Sequence, residues 1–396
     1  MGTPRLRYID WLRVLAVLLL FPFHVGRVFN AGEAFYVKGP EVSDAASRVM
    51  GFVSFWHMPL LFLLAGASTY LALGRRSRRE YAGERLRRLL VPFIFGMLVL
   101  IPPQTWYGAR FNSGYDGSYP SYLFGGDFLQ VEAGRDDYFG GLGTGHLWFI
   151  LYLLVFSLAA LPLWGGRRRE DSRLAGLSRF LAHPVGWLST GIALGAIAEF
   201  LDFDGENPAF YFAFFLLGYL ALCSEEFMAA AHRWVWITLP LGVAGDVWWV
   251  AGARWRDGLA DPSAGRTGVA FAGMAAAWLL LLGLLGLGSR YLNRPSPTLK
   301  YLAEGSYAVY ILHQTVIVIL AFYVIRLDAP WGVQWLVLLA GAVAGTFLLY
   351  EGLRRVNWLR FLFGMHPRRP APTARAADAA ALSPPPGPEA GDPPPG

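Results

Sequence analysis

The sequence predicts an all-α fold: a polytopic membrane helix bundle of about ten transmembrane helices, with both termini in the cytoplasm. Three observations predict it. Apolar residues make up 55% of the chain and charged residues only 16%, against roughly 25% charged in a soluble domain. The apolar residues gather into runs of membrane length, each about 17–25 residues. The basic residues crowd into alternate connections between those runs, which is the positive-inside pattern. The formal charge of +6 is therefore read as topology, and no nucleic-acid partner is expected. A single cysteine, Cys223, excludes an intrachain disulfide and a cysteine-based metal cluster.

The apolar segments run approximately over 10–29, 48–73, 89–105, 146–164, 185–201, 209–224, 234–251, 267–288, 303–325 and 332–351. The third, fifth and sixth are short or interrupted. With a cytoplasmic N-terminus, Arg75, Arg76, Arg78, Arg79, Arg85, Arg87 and Arg88 fall inside. So do Arg167, Arg168, Arg169, Arg173 and Arg179, then Arg290, Arg294 and Lys300, and finally Arg354, Arg355 and Arg360. The other side holds few basic residues: Lys38, Arg110, Arg135, Arg254 and Arg256. Residues 1–365 are read as the membrane domain. Residues 366–396, rich in Pro and Ala, are read as a disordered cytoplasmic tail.

The first segment carries Arg13 and His24, with ten residues between them. It is not a cleaved signal peptide, because both residues lie inside it and no small-residue cleavage site follows. An Arg at the centre of a membrane helix costs roughly 2.5–3.5 kcal/mol on insertion scales, so it marks a function or a boundary. Eleven residues at about 100° each return to nearly the same face, about 16 Å further along. Asp10 can pair with Arg13 at i, i+3 and lower the cost of burying both. Histidine is the side chain best suited to move a proton near neutral pH, so His24 is the leading catalytic candidate. Its plainer role is interhelical packing.

The second segment contains His57, Pro59 and Gly66. His57 lies about 13 Å deep by helix rise, a depth it can share with His24. An interhelical hydrogen bond is an equal reading for it. Before the third segment, Arg85 and Arg88 share one face ahead of Pro92, and arginine forks match phosphate geometry. The loop 106–145 mixes Gly, Tyr and Asp, which suits a sugar-facing surface or an interfacial aromatic belt equally. His146 and Trp148, at the start of the fourth segment, read as interface anchors. In the ninth, Ser306, Tyr310 and His313 fall on related faces at spacings of four and three. A mid-membrane His313 needs a partner or a wet cavity. His183, His232 and His366 lie in loops and carry no assignment, and the histidines lack the paired spacing of a zinc site.

Five stretches together resemble the acyltransferase-3 family of integral membrane acyltransferases. They are YIDWLRVLAVLLLFPFH (8–24), MPLLFLLAGAST (58–69), RLRRLLVP (85–92), HLWFILYLL (146–154) and SYAVYILH (306–313). They occur in the family's order over roughly residues 5–350, and Ala65 stands where many members have Ser. FWHMPLLFLLAG also resembles the branch containing glucan succinyltransferases. The resemblance implies ten core helices in a bacterial cell membrane. It implies transfer of an acyl group, acetyl or succinyl, from cytoplasmic acyl-CoA to a hydroxyl of an extracytoplasmic carbohydrate or related acceptor. Joined to the residue reading, it has Arg13, Arg85 and Arg88 hold the donor phosphates, with Asp10 orienting Arg13. The pantetheine arm then runs along the first helix to His24, a general base or an acylated intermediate, with His57 and His313 as further catalytic candidates. No metal is needed. The rival class is a proton-coupled transporter or flippase with His24, His57 and His313 as its relay. Consumption of acyl-CoA discriminates the two.

Overall fold

The computed structural model of the chain describes residues 6–130, 137–164, 172–200, 206–221, 224–253, 255, 258 and 264–368. Arg135, Arg167, Arg168, Arg169, Cys223, Arg254 and Arg256 lie outside the described residues, as does the tail beyond 368. Two units are distinguished, Met1–Met365 and His366–Gly396, and the described helices lie in the first.

Among the described residues all regular structure is helical. The exception is one isolated bridge between Asn30 and Ser43. The chain passes through α1 (Arg7–Phe29), α2 (Asp44–Leu73), α3 (Arg78–Arg85), a π-helical turn (Leu86–Leu90), α4 (Val91–Val99), α5 (Ile101–Asn112) and α6 (Tyr119–Phe124). Then follow α7 (Trp148–Ala159), α8 (Leu161–Trp164), α9 (Ser172–Leu181), α10 (Pro184–Phe200), α11 (Pro208–Ala221), α12 (Glu225–Arg233) and α13 (Val235–Ala251). The chain ends in α14 (Ala264–Tyr291), α15 (Pro297–Val324), α16 (Trp331–Leu353) and α17 (Asn357–Leu362).

Each expected apolar segment coincides with a helix, but not each is a full span. Among the described residues, six runs are long and apolar enough to cross a membrane: α1, α2, the continuous stretch Arg78–Asn112, α14, α15 and α16. The pair Pro208–Leu220 and Glu225–Arg233, bent by 104°, makes a seventh if it counts as one span. Gly145–Ala159 and Val235–Ala251 are shorter, because a helix rises only about 1.5 Å per residue. The third segment also differs from expectation. It continues helical to Asn112 rather than giving way to loop at 106, and Pro102 and Pro103 restart it as α5. Leu98, Leu188, Leu241, Leu336 and Leu348 are all more than half exposed. A soluble protein rarely bares so much aliphatic surface; facing lipid, it costs nothing. This is a multi-pass membrane protein.

α1 lies at the middle, packed against α2, α14, α15 and α16, while α11 packs on α2 and α13 on α14. Lipid tails are as apolar as leucine, so helices in a bilayer associate through close packing of small residues. The α2–α11 crossing is such a contact from both sides. A Cβ on Gly66 would lie 1.9 Å from the Phe215 carbonyl oxygen, and one on Gly218 would lie 1.8 Å from that of Leu63.

The two ends of the bundle differ. At one end meet the start of α1, the end of α2, α3 with its π turn, the start of α15, and the Gly364 turn after α17. At the other end lie residues 30–43, 113–130 and 137–145. Lys38 Nζ there donates to the carbonyl oxygen of Arg27 at 2.9 Å and to Asn30, holding free carbonyls at the α1 terminus. Asn112 Nδ2 donates to the carbonyl oxygens of Phe35, Tyr36 and Tyr138, tying both loops to α5.

Candidate active site

At the first end, Arg13 donates through Nη1 to Asp10 Oδ1 at 3.2 Å and through Nη2 to Ser68 Oγ at 2.6 Å. Ser68 in turn donates to the Leu64 carbonyl at 2.7 Å, which leaves its lone pairs to the guanidinium. Arg88 pairs with Glu84 at 3.2 Å and donates through Nε to the Gly364 carbonyl at 3.1 Å. The local sequence explains the seat. Pro92 has no N–H with which to close a regular i→i−4 bond onto Arg88, and the helix takes a π turn there, a feature that recurs at functional sites. Gly364, at φ +63°, lies against the Arg88 carbonyl and Tyr307, where a Cβ would come within 2.7 Å of both. Arg85 stacks over Tyr81, its guanidinium carbon 4.7 Å from the ring centre. The charges of Arg85 and Arg88 act on both Arg13 and the Tyr307 hydroxyl. That hydroxyl is sealed from solvent and has no hydrogen-bond partner. The structure thus brings Asp10, Arg13, Arg85 and Arg88 together, and adds Ser68 and Tyr307.

About 16 Å along α1, His24 lies 5.1 Å from His313, ring centre to ring centre, and His313 lies 5.2 Å from His146 in a T-shaped pair. Phe35 stacks over His24 at 6.2 Å and Phe21 meets His313 at 5.8 Å, closing the cluster with apolar rings. His57 sits lower. Its Nε2 donates to the Ala16 carbonyl at 2.7 Å, two turns below His24, and its ring stacks on Phe23. It forms the interhelical bond that its plainer reading called for.

The bonds fix the tautomers. A carbonyl oxygen only accepts, so the ring nitrogen facing it must carry hydrogen. His146 Nε2 faces the Ile311 carbonyl at 2.9 Å, and His313 Nδ1 faces that of Tyr310. In the neutral rings, His146 Nδ1 and His313 Nε2 are therefore bare lone pairs. Both are buried without a partner, as is His24 Nδ1. The Tyr310 hydroxyl is committed to the His146 carbonyl. Behind His313, Gln104 donates to Thr315 Oγ1 at 2.8 Å and accepts from Gln314 at 3.1 Å, stiffening α5 against α15. Among the described residues, no group of three or more His, Cys, Asp or Glu side chains is arranged to hold a metal ion.

His146 departs from the sequence expectation. Read as an interface anchor, it is only 6% exposed. The reason is local: α7 begins only at Trp148, and the 3₁₀ turn Gly145–Leu147 before it feeds the ring toward α15. Its place in HLWFILYLL was the available signal. Ser68 was likewise legible only as part of MPLLFLLAGAST.

The family model of the acyltransferase-3 domain, described as an acyltransferase domain, matches residues 6–351. The chain belongs to the acyltransferase-3 family. Its relatives include proteins named glucans biosynthesis protein C. The one from Salmonella schwarzengrund is 23% identical over 92% of this chain and 96% of its own length, and that from Salmonella typhi is 22% identical over the same shares. No solved structure matches significantly. As an acyltransferase-3 protein, the chain is a membrane acyl-transfer enzyme, and both residue clusters lie within the matched region.

Proposed function

We propose that the protein moves an acetyl or succinyl group from cytoplasmic acyl-CoA to a hydroxyl of an extracytoplasmic glucan. The observation that carries this reading is one wall of α1 joining a rim of three guanidinium groups to an imidazole cluster. Arg13, Arg85 and Arg88 supply the planar forks that phosphate groups prefer. Tyr307 adds a buried donor with nothing yet to bond. The basic connections favour the cytoplasm for this rim. The roughly 16 Å to His24 suits an extended thioester arm. The glucan acceptor is supported by the names of the relatives.

His24 takes the proton of the acceptor hydroxyl as its oxygen bonds to the acyl carbon. The acyl carbon–sulfur bond breaks, and the proton finishes on the departing thiolate. His313 stands behind His24, Asp10 orients Arg13, and His57 locks α2 to α1. His24→Gln keeps a hydrogen-bonding group of similar size but cannot cycle a proton. Transfer of label from succinyl-CoA or acetyl-CoA to a glucan oligosaccharide should fall by about 10²–10⁴-fold, with donor affinity preserved. A folded His24→Gln enzyme with substantial transferase activity would falsify the assignment.

A further inference from the structure

His146 has no role in the mechanism so far, yet it is built into the site from two directions. Its ring hydrogen is fixed on Nε2 by the Ile311 carbonyl, and its own carbonyl accepts from Tyr310. What remains is an Nδ1 lone pair, beside a His313 ring that likewise offers only a lone pair. Two acceptors without a donor, in apolar surroundings, cost roughly 1–3 kcal/mol each. No tautomer change relieves this, because both outer nitrogens face carbonyls. The Tyr310 hydroxyl is already committed. With the ring centres 5.2 Å apart, a proton added to one ring acts on the other: two bases held close enough to interact bind the first proton jointly and resist a second.

We propose that His146 is a positioning residue that shares the transferred proton with His313, so that the hydroxyl proton taken by His24 is held across three imidazoles until it passes to the leaving thiolate. This rests on the acyl-transfer reading for its chemistry, but the sharing itself is a property of the rings. No bond to carbon is made at His146. The hydroxyl O–H breaks at His24, one proton moves inward, and the same proton leaves with the thiol. The side chains facing His313 are His24 and Phe21 from α1, His57 from α2, His146 from the turn before α7, and Tyr310 from its own helix.

The test compares wild type with His146→Gln in purified, detergent-solubilised protein labelled with ¹⁵N-histidine. Gln keeps an N–H for the Ile311 carbonyl and removes the basic lone pair. If the proton is shared, the His313 ring signals in wild type titrate jointly with those of His146, and His146→Gln moves the His313 midpoint by about one pH unit or more. In the transferase assay with succinyl-CoA or acetyl-CoA, kcat should fall about tenfold or more, KM for the donor should stay within about twofold, and the D₂O effect on kcat should change. An unmoved His313 titration overturns the proposal whatever the activity. A wild-type protein that shows joint titration but consumes neither thioester overturns the donor reading and leaves proton sharing standing. Should His146→Gln fail to fold, His146→Asn, with an acceptor near the Nδ1 position, takes its place. If neither folds, His146 is a packing residue and the proposal fails.

Discussion

The two ends of α1 are furnished in opposite ways. Around Arg13 the charged groups are already answered: Arg13 by Asp10 and Ser68, Arg88 by Glu84 and Gly364. Around His24, three ring nitrogens are buried with no partner. Guanidinium groups in a membrane protein must be held somewhere even between substrates, and a carboxylate nearby makes that tolerable. A neutral imidazole can wait with a bare lone pair at modest cost, and that lone pair is what accepts a proton. One end is charged and paired, the other neutral with bare lone pairs.

The sharpest break of this comparison is topological, because it is all or none. In a Cys223→Ser background, Ser77→Cys should label only from the cytoplasm and Gly117→Cys only from outside. Labelling of position 117 from inside would reverse the assignment of both rims. Next in size is Arg13→Ala. Loss of a hydrogen-bonding charge costs roughly 1.5–3 kcal/mol, so donor affinity should fall about 10–100-fold, with kcat on saturating donor little changed. Arg13→Lys should restore only part of it, since a point charge does not copy the fork. Unchanged acyl-CoA titration in Arg13→Ala would remove the residue from the donor site. Tyr307→Phe gives a smaller effect with opposite signs in two measurements. Without donor the variant should be as stable as wild type or slightly more so, because a buried unpartnered hydroxyl is gone. With donor, affinity should fall about three- to tenfold. A loss of thermal stability without any loss of affinity would make Tyr307 a packing residue. Ser68→Ala should have the least effect, about twofold on donor affinity, because Asp10 still holds Arg13.

Much of this contrast is legible in the sequence. The Arg13–His24 spacing alone put both residues on one face, because helix periodicity is a local property. His313 was legible as a mid-membrane group in need of a partner. Which group answers which is a tertiary fact. His57 and His24 had compatible depths, yet His57 turned to the Ala16 carbonyl. His146 looked like a boundary residue, since a lone His beside a Trp at the head of an apolar run has the composition of an interface. Only the 3₁₀ turn after Thr144 aims it inward. The run around Arg85 and Arg88 read mainly as membrane anchoring, because nothing in its composition announces the π turn or the Gly364 contact.

The continuity of α1 makes it a gauge. A single added residue between Arg13 and His24 would swing the imidazole by about 100° away from the guanidinium, whereas seven would restore the face and lengthen the interval by about 10 Å. If the donor lies along α1 as proposed, the number of residues between Arg13 and His24 sets the reach from its phosphates to its thioester. Donor length should be altered by whole pairs of turns in α1, never by a substitution at either end.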